Sequence, residues 1–184
     1  MMLKNKTIIF YSRALLFIAS FLGVYLEITK HGGFGMLLYY TVLSNLLVTL
    51  FTGYLLLKMR GDDDSWQSPA ILRLKGGVTM SIMITCVIYH FMLAPIATDF
   101  YRLENFLCHY IVPLWFLADT LLFDKSRQYK WFDPIVWTVL PLLYMGFAIL
   151  NGLVLKMNIP NSKDNPFPYF FLNANKHGWG FVFR

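Results

Sequence analysis

Five predominantly apolar stretches, each close to the roughly 20 residues that carry an α-helix across a bilayer core, constrain this chain more than any other feature. They run approximately over residues 7–27, 36–57, 76–97, 105–123 and 134–155. Apolar runs of this length predict membrane-spanning helices, so the expected fold is all-α: a polytopic transmembrane helical bundle with five spans in a single integral membrane domain. Composition agrees. The chain is 57% hydrophobic and only 14% charged, whereas soluble domains carry about 25% charged residues.

A net charge of +6 raises the question of nucleic acid. The basic residues lie between the apolar runs and form no basic face or arm, so no nucleic-acid partner is expected and the charge is read as membrane topology. Lys4 and Lys6 precede the first run as in a signal peptide. Arg13 interrupts that run, it continues to Leu26 and no small-residue cleavage site follows, so it is read as a retained first span.

Lys58, Arg60, Arg73 and Lys75 fall in the connection after span 2, and Lys125, Arg127 and Lys130 in that after span 4. The connections after spans 1 and 3 hold only Lys30 and Arg102. The excess places the N-terminus and the two basic connections in the cytoplasm. Lys156, Lys163, Lys176 and Arg184 run against this pattern, because five spans leave residues 156–184 outside. That segment is aromatic and Pro-rich, too short to span, and is expected at the interface or dipping back toward the bundle. A further apolar run begins at Gly180. Asp62, Asp63 and Asp64 are read as a solvated charge run.

Polar groups inside a membrane are expensive and mark functional sites by default. Thr41 in span 2, His90 in span 3 and His109 in span 4 all lie within roughly 10 Å of the outer boundary, counting about 1.5 Å per residue. A hydroxyl and an imidazole at one depth are the minimum parts of a nucleophile–base pair. Asn45 shares a helical face with Thr41, and Ser44 is adjacent. Either is a candidate for the pocket, and Asn45 for donation to an oxyanion, although hydroxyls and amides also bond between membrane helices; Thr52 continues the stripe inward.

Pro113 lacks an N–H and leaves the carbonyl of His109 without its helical partner, which predicts a kink or an inserted water there. His31 and His177 are expected to face solvent. Glu27 and Glu104 lie at the level of Thr41 as possible orienting acids. Asp119, about 15 Å deeper than His109, is expected to be structural and paired with an inner-loop base. Cys86 and Cys108 are expected to pack as small apolar residues. No disulfide framework, metal motif, nucleophile elbow, phosphate loop or dinucleotide fingerprint appears, and no cofactor is expected.

Tyr40-Thr41-Val42-Leu43-Ser44-Asn45, His109-Tyr110-Ile111-Val112-Pro113-Leu114 and Pro166-Phe167-Pro168-Tyr169-Phe170-Phe171-Leu172-Asn173 occur in this order along the chain. In these stretches the chain resembles the androgen-induced protein family, which includes the androgen-dependent TFPI-regulating protein and bacterial relatives. The resemblance implies a membrane-embedded hydrolase acting on fatty acid esters of hydroxy fatty acids or similar lipids, with Thr41 as nucleophile and His109 as base. It also implies a lipid ester as the partner, a setting among the lipids of a bacterial plasma membrane, and a further span after the Pro-rich segment. His90 is not carried by the motif and rests on depth alone. Two other classes stay open at this point: a bis-histidine haem protein using His90 and His109, and a non-enzymatic transporter or assembly protein. Protein partners are not specified by the sequence.

Overall fold

The computed structural model describes residues 5–61 and 63–183; Lys4, Asp62 and Arg184 of the charge pattern lie outside them. Among the described residues, five helices are long and apolar enough to cross a membrane: α1 Lys6–His31, α2 Tyr40–Lys58, α3 Pro69–Ile96, α4 Leu103–Phe123 and α5 Asp133–Leu155. No strand occurs among the described residues. This is an all-helical integral membrane architecture.

Helix α1 starts where the Asn5 side chain accepts the N–H groups of Thr7 and Ile8, satisfying two of the donors a helix N-terminus leaves unpaired. The core is built by α1 to α4, through Leu16, Val48, Val78, Ile82, Val112 and Phe116. Helix α5 flanks this group. Only 17% of its apolar stretch is buried, against 44% for α2 and α4. It docks at its start by laying Trp137 on Gly76 of α3, where a Cβ would come within 2.4 Å of the indole; a residue without a side chain admits the ring.

Three boundaries differ from expectation. Helix α1 runs on to His31. Helix α2 begins at Tyr40, because Gly33–Leu38 form a 3-10 turn and Tyr39 is extended. Helix α3 begins at Pro69, a residue suited to a first turn. Lys75 therefore lies inside a span and is fully buried, which corrects its placement in an inner loop.

Its charge is matched there. Lys75 Nζ lies 2.5 Å from Asp119 and 2.7 Å from Asp124, and Arg13 pairs with the same two carboxylates at 3.1 Å. The quartet has no net charge, and the Trp66 ring covers the Arg13 guanidinium at 4.9 Å. Asp119 is thus structural as expected, but its partners come from α1 and α3 rather than from a loop. Hydropathy counted residue by residue ends span 3 short of Lys75, because it weighs that charge without its partners. Buried charges persist when paired and hydrogen-bonded.

Residues after α5 fold back over the end of the bundle that carries Thr41. Phe167 and Leu172 pack on Ala148 of α5, and Tyr39 Oη donates to Pro160 O at 2.6 Å.

Candidate active site

Because α2 starts at Tyr40, Thr41 sits in its first turn, where backbone N–H groups have no intrahelical acceptor. The N–H of Thr41 is taken up by the hydroxyl of Tyr169, at 3.3 Å. The side chain of Thr41 points to α4. Its Oγ1 lies 3.3 Å from His109 Nε2. The structure thus brings together the two residues that share a depth in separate spans.

His109 is held from two sides. Its Nδ1 lies 3.0 Å from the carbonyl oxygen of Asn105. A carbonyl only accepts, so Nδ1 carries the proton and Nε2 presents a lone pair to the Thr41 hydroxyl. The Tyr89 ring stacks on the imidazole, centroids 3.7 Å apart. A backbone carbonyl here fills the orienting position that a carboxylate takes in a serine triad.

Three widened π turns frame the site: Tyr89–Leu93 in α3, Leu107–Ile111 in α4 and Asn151–Leu155 in α5. The second precedes Pro113, so the expected irregularity at His109 takes the form of a wide turn rather than a sharp kink. Such turns are frequent at functional sites because they shift a side chain out of regular helical phase. The third carries Asn151, whose Nδ2 donates to Pro166 O at 2.7 Å and to Met157 O at 3.1 Å. It thereby tethers the segment that delivers Tyr169.

Thr41 borders two cavities. One, of about 200 Å³, is almost wholly apolar and lies among Ile84, Ile88, Leu142, Met145 and Phe171. The other, of about 370 Å³, is more polar and includes Glu27, His31, Asp99, Arg102, Lys163 and His109. Four residues border both: Thr41, Tyr89, Leu93 and Tyr169. The polar side is braced by Glu104, which binds His31 Nε2 at 2.9 Å and Lys30 Nζ at 3.3 Å. This corrects the solvent-facing expectation for His31, whereas His177 is exposed as expected.

Other expected pocket residues lie elsewhere. Asn45 is fully buried. Its Nδ2 donates to Thr41 O at 2.8 Å and Cys108 O at 3.0 Å. Both amide protons are spent, so it braces α2 against α4 and offers no proton to an oxyanion. Ser44 bonds to Thr85 Oγ1 at 2.8 Å and to Thr41 O at 3.1 Å, again as a brace. His90 is exposed, with Nδ1 3.2 Å from the Tyr110 hydroxyl. It is its neighbour Tyr89 that faces the site. The structure therefore does not bring His90 to His109: His90 turns to Tyr110, while His109 Nε2 faces Thr41. Cys86 and Cys108 are buried free thiols.

Sequence reasoning missed Tyr89, Asn105 and Tyr169. Tyr169 did carry a signal, lying in the Pro-rich stretch that contributes to the resemblance. Comparison of the chain with protein-family models, with curated proteins and with solved structures finds no match.

Proposed function

We propose that this chain is a membrane-embedded lipid ester hydrolase with Thr41 as nucleophile and His109 as general base. The observation that carries the proposal is the contact between Thr41 Oγ1 and His109 Nε2, with Nδ1 anchored on the Asn105 carbonyl.

In the first half-reaction, Nε2 takes the hydroxyl proton as Oγ1 bonds to the ester carbonyl carbon and the carbonyl π pair moves onto oxygen. Collapse of the adduct restores the carbonyl and breaks the bond to the leaving alkoxide, which receives the proton from His109. Water then repeats the sequence on the acyl-threonine and frees the acid. The threonine methyl group hinders attack, so slow turnover is expected.

The two cavities favour an amphiphilic ester. Its acyl chain lies among Ile84, Ile88 and Met145, and its polar part lies toward Arg102 and Lys163. Fatty acid esters of hydroxy fatty acids, suggested by the resemblance, have this character. The basic connections Lys58–Arg60 and Lys125–Lys130 support a cytoplasmic N-terminus with the site near the outer face, and the resemblance suggests a bacterial plasma membrane.

The test is labelling of detergent-purified protein by a fluorophosphonate, with peptide mapping of the adduct. The adduct is expected on Thr41 and is expected to vanish in Thr41→Ala and His109→Ala. A folded wild type that takes no label, or labelling retained in both variants, would overturn the assignment.

A further inference from the structure

Attack on a carbonyl places negative charge on its oxygen, and acyl-transfer sites aim a fixed donor at that position. The obvious candidates are occupied. Asn45 spends both amide protons on carbonyls, Ser44 is tied to Thr41 O and Thr85, and His109 Nδ1 is committed to Asn105. Among the described residues, the hydroxyl of Tyr169 remains beside the nucleophile.

We infer that Tyr169 is the oxyanion donor: its phenolic proton hydrogen-bonds the ester carbonyl oxygen as Thr41 attacks. The inference rests on the hydrolase reading above. Tyr169 Oη lies 3.5 Å from Thr41 Oγ1 and 3.3 Å from Thr41 N. At this spacing an oxygen two bonds from Oγ1 comes within hydrogen-bond reach of Oη. Because Oη accepts the Thr41 N–H, its own proton is directed elsewhere, toward Oγ1 or the cavity in front of it. Accepting one hydrogen bond also polarises a hydroxyl for donating the next. The accepted N–H belongs to the first turn of α2, where the helix dipole is positive and favours developing negative charge. Of the residues that border both cavities, Tyr169 alone brings a hydroxyl to the nucleophile.

The donor is held in place before substrate arrives. The Tyr169 ring stacks on Phe171 at 5.2 Å and meets the edge of Tyr39 at 5.7 Å. Its segment is anchored by Asn151 to Pro166 O, and by Phe167 lying on Gly152, where a Cβ would fall 2.0 Å from the ring. Burial holds the phenol above the ordinary tyrosine range, so it keeps its proton at neutral pH. During the reaction that proton stays on Oη. The electron pair that moves onto the carbonyl oxygen returns when the leaving group departs, and only His109 transfers a proton.

The experiment measures hydrolysis of p-nitrophenyl decanoate and the fluorophosphonate labelling rate, with full-length protein in detergent. Wild type is compared with Tyr169→Phe, Thr41→Ala and a variant bearing 2,3-difluorotyrosine at position 169. Tyr169→Phe keeps the aromatic packing. It is expected to lower kcat by about 10²–10³-fold, with KM little changed, while still labelling slowly on Thr41. The fluorinated phenol is a stronger donor and is expected to raise kcat below its own pKa. A Tyr169→Phe enzyme with wild-type kcat, or one changed only in KM, would overturn the donor role while leaving the hydrolase reading intact. A difluorotyrosine enzyme with unchanged kcat would do the same, and it covers the case in which Tyr169→Phe misfolds. A wild type without Thr41-dependent hydrolysis or labelling would remove the hydrolase reading and this role together.

Discussion

The imidazole of His109 lies nearly face to face with the phenol of Tyr89, ring centroids 3.7 Å apart and planes inclined by 23°. The two residues sit in facing π turns of α3 and α4. The stack fixes the rotation of the imidazole about the hydrogen bond that Nδ1 makes to Asn105. Replacing Tyr89 by Leu removes the flat surface and lets the ring turn away from Thr41. A misplacement of about 1 Å in a catalytic group costs on the order of 10²-fold, so Tyr89→Leu is expected to lower kcat by about that factor. Tyr89→Phe, which keeps the ring, is expected to stay near wild type. Labelling rates of the two variants check this, and equal rates would show that the stack does not position the base.

Asn45 joins α2 to α4 through the carbonyls of Thr41 and Cys108. Asn45→Ala removes the side-chain donor to the buried Cys108 carbonyl and leaves Thr41 O with Ser44 as its remaining side-chain donor, at a cost of roughly 1–3 kcal/mol. The expected result is a lower melting temperature in detergent, with kcat per folded molecule changed far less than in Tyr169→Phe. A collapse of kcat at unchanged stability would instead return Asn45 to the oxyanion position.

The Arg13–Asp119–Lys75–Asp124 quartet is neutral only as a set. Asp119→Asn leaves two buried cations facing one carboxylate, and breaking such a pair costs about 3–5 kcal/mol. The double variant Lys75→Met with Asp119→Asn removes one charge of each sign. It is expected to be less destabilised than the sum of the single variants, because the groups are in contact. Denaturant unfolding in micelles measures both, and additive losses would mean that the quartet is not coupled. Quartet and site lie at opposite ends of the bundle, so folded variants should label at Thr41 at the wild-type rate.

Burial raises the phenols of Tyr39 and Tyr169 above their ordinary values. In the unfolded chain both ionise near pH 10, whereas in the fold they keep their protons beyond it. Their contribution to stability is therefore complete below that range and is lost progressively as pH climbs above it. The melting temperature of wild type should fall more steeply above pH 10 than that of the double variant Tyr39→Phe, Tyr169→Phe. Parallel curves would contradict the linkage.

Much of this architecture was legible from residue order. Length and apolarity of each stretch specify a spanning helix, since a backbone in lipid satisfies its own hydrogen bonds by coiling. The shared depth of Thr41 and His109 followed from counting residues inward from each span's end, and tertiary structure then set them 3.3 Å apart. The choice between Tyr89 and His90 was not legible. Histidine is the more conspicuous residue, but the rotation of α3 and its π turn decide which neighbour faces inward.

What the sequence by itself determined is therefore the count of spans, their helical form and the level of the polar groups, because these depend on local transfer energies that add along the chain. What only the tertiary structure decided is which groups meet. Lys75 enters a span because Arg13, Asp119 and Asp124 come from other parts of the chain to balance it. Asn45 turns to Cys108 O because α4 passes close to α2. Tyr169 reaches Thr41 because the chain after α5 folds back and is held by Asn151. Each depends on partners far apart in sequence, whose charges and hydrogen bonds count only once the helices are packed.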